Sequence, residues 1–93
     1  MTSASVPLWR DVTIINELGL HARAAAKVAK AARRATGMVW LQAGSERVDA
    51  SQVIDILTLG GGKGSRVRVA VDEHADLQVL DQIEALFADG FGE

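Results

Sequence analysis

From residue 65 to residue 71 the chain reads Ser-Arg-Val-Arg-Val-Ala-Val, with valine at every second place from residue 67. Successive side chains of a β-strand point to opposite faces, so this alternation requires a sheet with one wet face and one buried face. Whatever covers the buried face must come from the rest of a 93-residue chain. A chain of that length holds one core and buries on the order of 60% of its unfolded surface. The arrangement open to it is a single domain over residues 1–93, with one sheet covered by helices and no deep substrate cleft.

Residues 22–35 supply the principal cover. They are alanine-rich, contain no Gly or Pro, and favour helix strongly, with Gly37 expected to stop it. Ala25, Val28, Ala29 and Ala32 fall on one stripe and face inward. Arg23, Lys27, Lys30 and Arg34 fall on another, which is basic. Ahead of this helix, residues 10–15 read as a strand and residues 16–20 as a turn, in which Gly19 permits a backbone angle other residues resist. After it come a strand at 38–43, a Gly44-Ser45 turn and a short returning strand at 46–49, a hairpin. Residues 52–59 are too few for a helix that stands alone but suit one packed on a sheet. Residues 60–64 form a glycine loop. Leu77, Leu80, Ile83 and Phe87 mark a final helix with Asp72 or Asp76 as its cap. The order is β-α-β-β-α-β-α. This is an α+β fold with a four-stranded, mainly antiparallel sheet and helices on one face.

Composition removes whole classes of function. With no cysteine there are no disulfides, thiolate nucleophiles or zinc–sulfur sites. No apolar run approaches the roughly 20 residues of a membrane span. Residues 1–8 lack a basic segment followed by an apolar one, so no secretory leader is expected and a cytoplasmic setting follows. The net charge of −2 is unevenly spread: Asp72, Glu73, Asp76, Asp81, Glu84, Asp89 and Glu93 crowd the last 22 residues, which contain no Lys or Arg. The basic first helix is either a solvated face balancing these acids or a docking patch for an acidic partner or phosphate.

His21 falls where the glycine turn enters the long helix. The first four N–H groups of a helix lack internal partners, and the aligned peptide dipoles place partial positive charge there. The Ala22 and Arg23 N–H groups are thus placed to hold phosphate oxygens, and the Arg23 guanidinium adds a cation with a forked geometry suited to phosphate. Neutral imidazole carries the lone pair that attacks phosphorus. The same residues also suit an ordinary histidine capping a helix beside a surface arginine, and three residues alone do not choose.

The stretch Asn-Glu-Leu-Gly-Leu-His-Ala-Arg over residues 16–23 resembles the active-site signature of the HPr phosphocarrier family, whose core is G-[LIM]-H-[AT]-R-P-A. The element order is also similar to that family's open-faced β-sandwich, over nearly the whole chain. The resemblance implies that His21 is phosphorylated on Nδ1 by enzyme I, itself charged by phosphoenolpyruvate, and that the group passes on to a histidine of an EIIA protein. It implies that Arg23 stabilises the phosphate. It also implies a carrier with a covalent intermediate, not an enzyme with its own turnover, and one that needs no cofactor. Within the family, Asn16 with Leu18 and Gly19, the run Ser51-Gln-Val-Ile54, and Ala85-Leu-Phe-Ala-Asp-Gly-Phe91 resemble the nitrogen-related (NPr) branch. The sugar-transport branch is the alternative, as is a regulatory module that docks partners through the same face.

The chain departs from the family pattern at two places. Ala24 stands where proline is usual. Proline in a first helical turn gives up an N–H that has no partner there, so alanine keeps the helix and changes mainly the rigidity of the turn. Gln52 stands where many relatives carry a regulatory serine and has no hydroxyl to phosphorylate. Its neighbour Ser51 reads as the cap of the short helix.

Val53, Ile54 and Leu57 cannot all point inward, and the residues matching them in the family form an exposed apolar patch beside the histidine. Ile56 and Leu59 read as core. With Ala22, Ala26, Lys27, Lys30 and Arg33, the patch is expected to form an apolar-centred, basic-rimmed face for transient contact with enzyme I and EIIA proteins. Asp55 interrupts it with an acid. Nucleic acid is not expected as a partner, because no aromatic platform accompanies the basic helix. The glycine loop is not a phosphate-binding loop: Leu57 stands where its first glycine is needed and Gly64 where Ser or Thr is needed. His74, among Asp72, Glu73 and Asp76, reads as a solvated cap rather than a metal site. A monomer is the simplest expectation.

Overall fold

The computed structural model describes residues 6–93. The expectation of no leader rests on residues 1–8, of which residues 1–5 lie outside the described residues. Strands β1 (Trp9–Thr13), β2 (Val39–Ala43), β3 (Glu46–Asp49) and β4 (Arg66–Val71) pair in the order β1-β4-β2-β3, every pairing antiparallel. Helices α1 (Ala22–Ala32), α2 (Val53–Leu59) and α3 (Leu77–Ala88) cover one face. The expected element order and open-faced α+β architecture are both present.

The alternation in β4 works as the pleat requires: Val67, Val69 and Val71 are buried while Arg66 and Arg68 are exposed. Val12, Val39 and Leu41 extend the buried layer across the sheet. Over it lie Ala24, Ala25, Val28, Ala29 and Ala32 of α1, and Val79, Leu80, Ile83 and Phe87 of α3. Small side chains bring α1 close, and the bulk is concentrated in Phe87, which meets Phe91 edge to face with centroids 4.9 Å apart. Burying one such side chain contributes about 1.5–3 kcal/mol.

The other face of the sheet is open. Trp9 and Trp40 both oppose Ala70 in register, one from each side. Arg68 lies over the Trp9 ring at 3.9 Å and Arg47 over the Trp40 ring at 4.0 Å. The aromatic surface therefore sits away from the basic helix.

Three local expectations are corrected. Helix α1 ends at Ala32, short of residue 35, and unwinds through the tighter bonds Arg34 N–H to Ala31 O and Ala35 N–H to Ala32 O. Gly37 does not stop it by a left-handed turn. It is needed for space, since a Cβ there would lie 2.5 Å from Glu73 Cγ. Asp76 does stand at the cap position of α3, but neither it nor Asp72 makes a side-chain capping bond there. Asp72 accepts from Trp40 Nε1 at 2.9 Å, and buried Asp76 accepts the Thr36 and Gly37 N–H groups, each at 2.8 Å. Those two backbone bonds hold the Asp76 carboxyl below the usual aspartate range. Ser51 does not cap α2 either: Gln52 occupies the cap position without a side-chain bond, and the Ser51 hydroxyl donates to Asp49 Oδ1 at 2.7 Å. Ser51 stands one residue before the cap, and both its N–H and its hydroxyl turn back to the aspartate two residues upstream.

Candidate functional site

The chain leaves β1 through a turn held on two sides. Gly19 takes φ +64°, and its N–H reaches Asn16 O at 3.2 Å while Asn16 Nδ2 donates to Gly19 O at 2.9 Å. The next residue, buried Leu20, donates its N–H to Gly61 O at 3.0 Å. The glycine loop after α2, which reads as a simple turn in the sequence, is thus a wall of this turn.

His21 follows as the N-cap of α1, extended at φ −75° and ψ 178°. Its carbonyl accepts the Ala25 N–H at 2.9 Å, and its ring Nδ1 accepts the Arg23 N–H at 3.2 Å. The Ala22 N–H finds no acceptor among the described residues. The capping reading and the phosphate reading therefore share one geometry. The nitrogen that caps the helix lies over its positive mouth, beside a spare donor.

The opposite ring nitrogen, Nε2, lies against the carboxylate of Glu93. That carboxylate also accepts from Asn16 Nδ2 at 3.0 Å. The Asn16 bond, then the His21 contact, with help from the Arg23 charge, hold the Glu93 carboxyl below the usual glutamate range. Sequence reasoning counts Glu93 only among the acids of the final segment. The signal that points to it is the run Gly-Phe-Gly-Glu after α3. Gly90, Phe91 and Gly92 take φ of +61°, +60° and +76°, so the chain doubles back toward His21. Phe91 is buried against Phe87, and its carbonyl accepts from Lys27 Nζ at 2.5 Å.

The other expected residues are spread around this centre. Ala22, Arg23, Ala26 and Lys30 of α1 and Arg33 at its C-terminal cap are exposed, while Lys27 is half-buried, its ammonium committed to Phe91. Arg33 donates through Nε to Ser51 O at 3.0 Å, tying α1 to the start of α2. On α2, Ile54 is 73% exposed and Leu57 39%, while Val53 is half-buried against the core and Ile56 fully buried. The open apolar patch is therefore Ile54 and Leu57, with Val53 beneath it. Leu18, 71% exposed one residue before Gly19, adds apolar surface that sequence reasoning does not single out. Ala24 is fully buried.

The family description "PTS HPr component phosphorylation site" matches residues 9–89, from β1 to just past the end of α3. The chain belongs to the HPr family. Among its HPr relatives is the phosphocarrier protein HPr of Cupriavidus necator, 40% identical over 86 residues, a span of 92% of this chain and 97% of the relative. The phosphocarrier protein HPr of Pseudomonas putida is 36% identical over 85 residues, or 90% and 94% of the two chains. Among solved structures, HPr-C-His from Thermoanaerobacter tengcongensis matches with a TM-score of 0.85 at 26% identity, over 91% of this chain and 96% of that one. The protein is thus an HPr-type phosphocarrier of the phosphotransferase system. Its sheet and helices are those of the HPr sandwich.

Proposed function

We propose that this HPr-family chain accepts a phosphoryl group on Nδ1 of His21 from enzyme I, itself charged by phosphoenolpyruvate, and hands it to a histidine of an EIIA protein. The observation that carries the reading is the His21 Nδ1 lone pair aimed at the Arg23 N–H, at the start of α1. When that lone pair forms the bond to phosphorus, the donor's own bond to phosphorus breaks and its electron pair stays with the donor. The Arg23 N–H, no longer held by Nδ1, is then free for a phosphoryl oxygen. The Ala22 N–H is the neighbouring free donor, and the exposed Arg23 side chain supplies a cation from the same turn. Fixed donors of this kind, aimed where charge develops, are commonly worth about 10²–10³ in rate each.

Ile54 and Leu57, rimmed by Ala22, Ala26, Lys30 and Arg33, form the docking face in this reading, a small apolar centre with positive edges that suits fast exchange. Lys27 serves the face from behind by fixing Phe91. The chain acts as a cytoplasmic monomer without turnover of its own. The segments around Asn16, Ser51 and Ala85 support placing it in the nitrogen-related branch, with the sugar-transport branch as the alternative. The test is incubation with enzyme I and phosphoenolpyruvate. Acid-labile phosphate that vanishes in His21→Ala and passes to an EIIA is the expected result. Binding to both partners with no transfer would make the chain a docking module instead.

A further inference from the structure

Resting on the carrier reading above, we propose that Glu93 is a positioning residue for phosphoryl transfer. Its carboxylate accepts the proton on Nε2 of His21 and so holds the ring with Nδ1 bare over the mouth of α1. A neutral imidazole has one N–H and one bare nitrogen. Here Nδ1 accepts the Arg23 N–H, so the proton belongs on Nε2, and Nε2 lies against Glu93. Two contacts at opposite nitrogens fix the tautomer and also the rotation of the ring. A carboxylate that holds a histidine tautomer in place is a recurring way to ready the other nitrogen for chemistry.

Glu93 is itself held. Asn16 spends one amide hydrogen on Gly19 O and the other on Glu93 Oε1, which links the carboxylate to the turn that delivers His21. The residues before Glu93 are pinned through buried Phe91 and the Lys27 bond to its carbonyl. Phe91 takes φ +60°, a conformation that is an outlier for a bulky residue and that persists where packing over-determines it. The acid is thus built into the site and does not merely drift near it.

The transfer step gives it work to do. As the Nδ1 lone pair bonds to phosphorus, the ring acquires positive charge, while the Nε2 proton stays in place, shared with Glu93. An anion on that side steadies the charge. It also stands across the ring from the incoming phosphoryl group, on which the Arg23 cation acts.

The experiment compares wild type, Glu93→Ala, Glu93→Gln and Asn16→Asp, the last placing a second carboxylate against Glu93. In the first readout, without any phosphoryl donor, the His21 Nε2–H is followed by proton NMR. It is expected to be sheltered from solvent exchange in wild type and in Glu93→Gln, and to be lost to exchange in Glu93→Ala and Asn16→Asp. In the second, phosphoryl uptake from enzyme I charged with phosphoenolpyruvate is timed. Uptake is expected to be about tenfold slower in Glu93→Ala and intermediate in Glu93→Gln, which keeps an acceptor but loses the charge. An Nε2–H unchanged in Glu93→Ala overturns the contact, and uptake within twofold of wild type overturns its role in transfer. A wild-type chain that takes up no phosphate defeats the carrier reading, while the ring proton still decides the contact.

Discussion

Gly19 and Gly61 meet backbone to backbone: a Cβ on Gly19 would lie 2.3 Å from the Gly61 carbonyl oxygen, which already accepts the Leu20 N–H at 3.0 Å. The turn that presents His21 is therefore built on the loop that follows α2 and bonded to it through Leu20.

Gly19→Ala is accordingly the most damaging small change near the site. The new methyl group meets backbone rather than a flexible side chain, at a residue with φ +64°. A strained position of this kind costs about 1–3 kcal/mol in a denaturant melt, and phosphoryl uptake falls with it because His21 is displaced. Gly62→Ala, where nothing lies within 4 Å, serves as the control and is expected to leave both unchanged.

Arg23→Ala keeps the backbone N–H that caps against Nδ1 and removes only the guanidinium. Uptake from charged enzyme I is expected to drop about a hundredfold, with the melting temperature close to wild type because the side chain is exposed.

Ala24→Pro separates stability from transfer. No acceptor for the Ala24 N–H exists in the first turn of α1, so losing that donor is cheap, but the position is fully buried and a larger ring must fit. A stability loss of about 1–3 kcal/mol is expected, with phosphotransfer within about tenfold, roughly 1.4 kcal/mol in the barrier. A loss of several orders of magnitude in transfer would refute this.

Asp76 gives the fold a pH dependence. Its carboxyl is held below the usual aspartate range by the Thr36 and Gly37 N–H groups. A group depressed in the folded state contributes fully above its unfolded value and loses that contribution as pH falls through the folded one. Asp76→Asn should therefore melt earlier than wild type near neutral pH, and the two curves should converge in acid. Parallel curves down to the acid limit would contradict the assignment.

Ile54→Asp probes the docking face. With 73% of its surface exposed, Ile54 contributes little to the core, so the fold should be retained. Exchange with enzyme I should slow at least tenfold, because an acid replaces the apolar centre of a basic-rimmed face.

Much of this fold was legible from local patterns. The valine alternation of β4, the alanine run of α1 and the spacing of Leu80, Ile83 and Phe87 each match a period that only one element satisfies. The start of α1 at His21 was equally plain, because a glycine turn meets an unbroken helix former there. What escaped depends on contacts between distant residues. Asp76 bonds Thr36 and Gly37 across 40 and 39 positions, and Glu93 reaches His21 across 72. No spacing rule connects such pairs. Gly61 looked like loop filler because its partner, Gly19, lies before α1. Ser51 reads as a cap by residue type alone, but it stands one residue before the cap position, which Gln52 occupies, and its hydroxyl hydrogen turns back to Asp49.

In the proposed relay, Nδ1 of His21, over the mouth of α1, is the atom that takes the phosphoryl group. Phosphorus and nitrogen NMR of the ¹⁵N-labelled protein, charged by enzyme I and phosphoenolpyruvate, reads the attachment atom directly. A single phosphorus resonance coupled to Nδ1 of His21 and absent in His21→Ala is the predicted result. Coupling to Nε2, or phosphate carried on His74 or a hydroxyl, would contradict it.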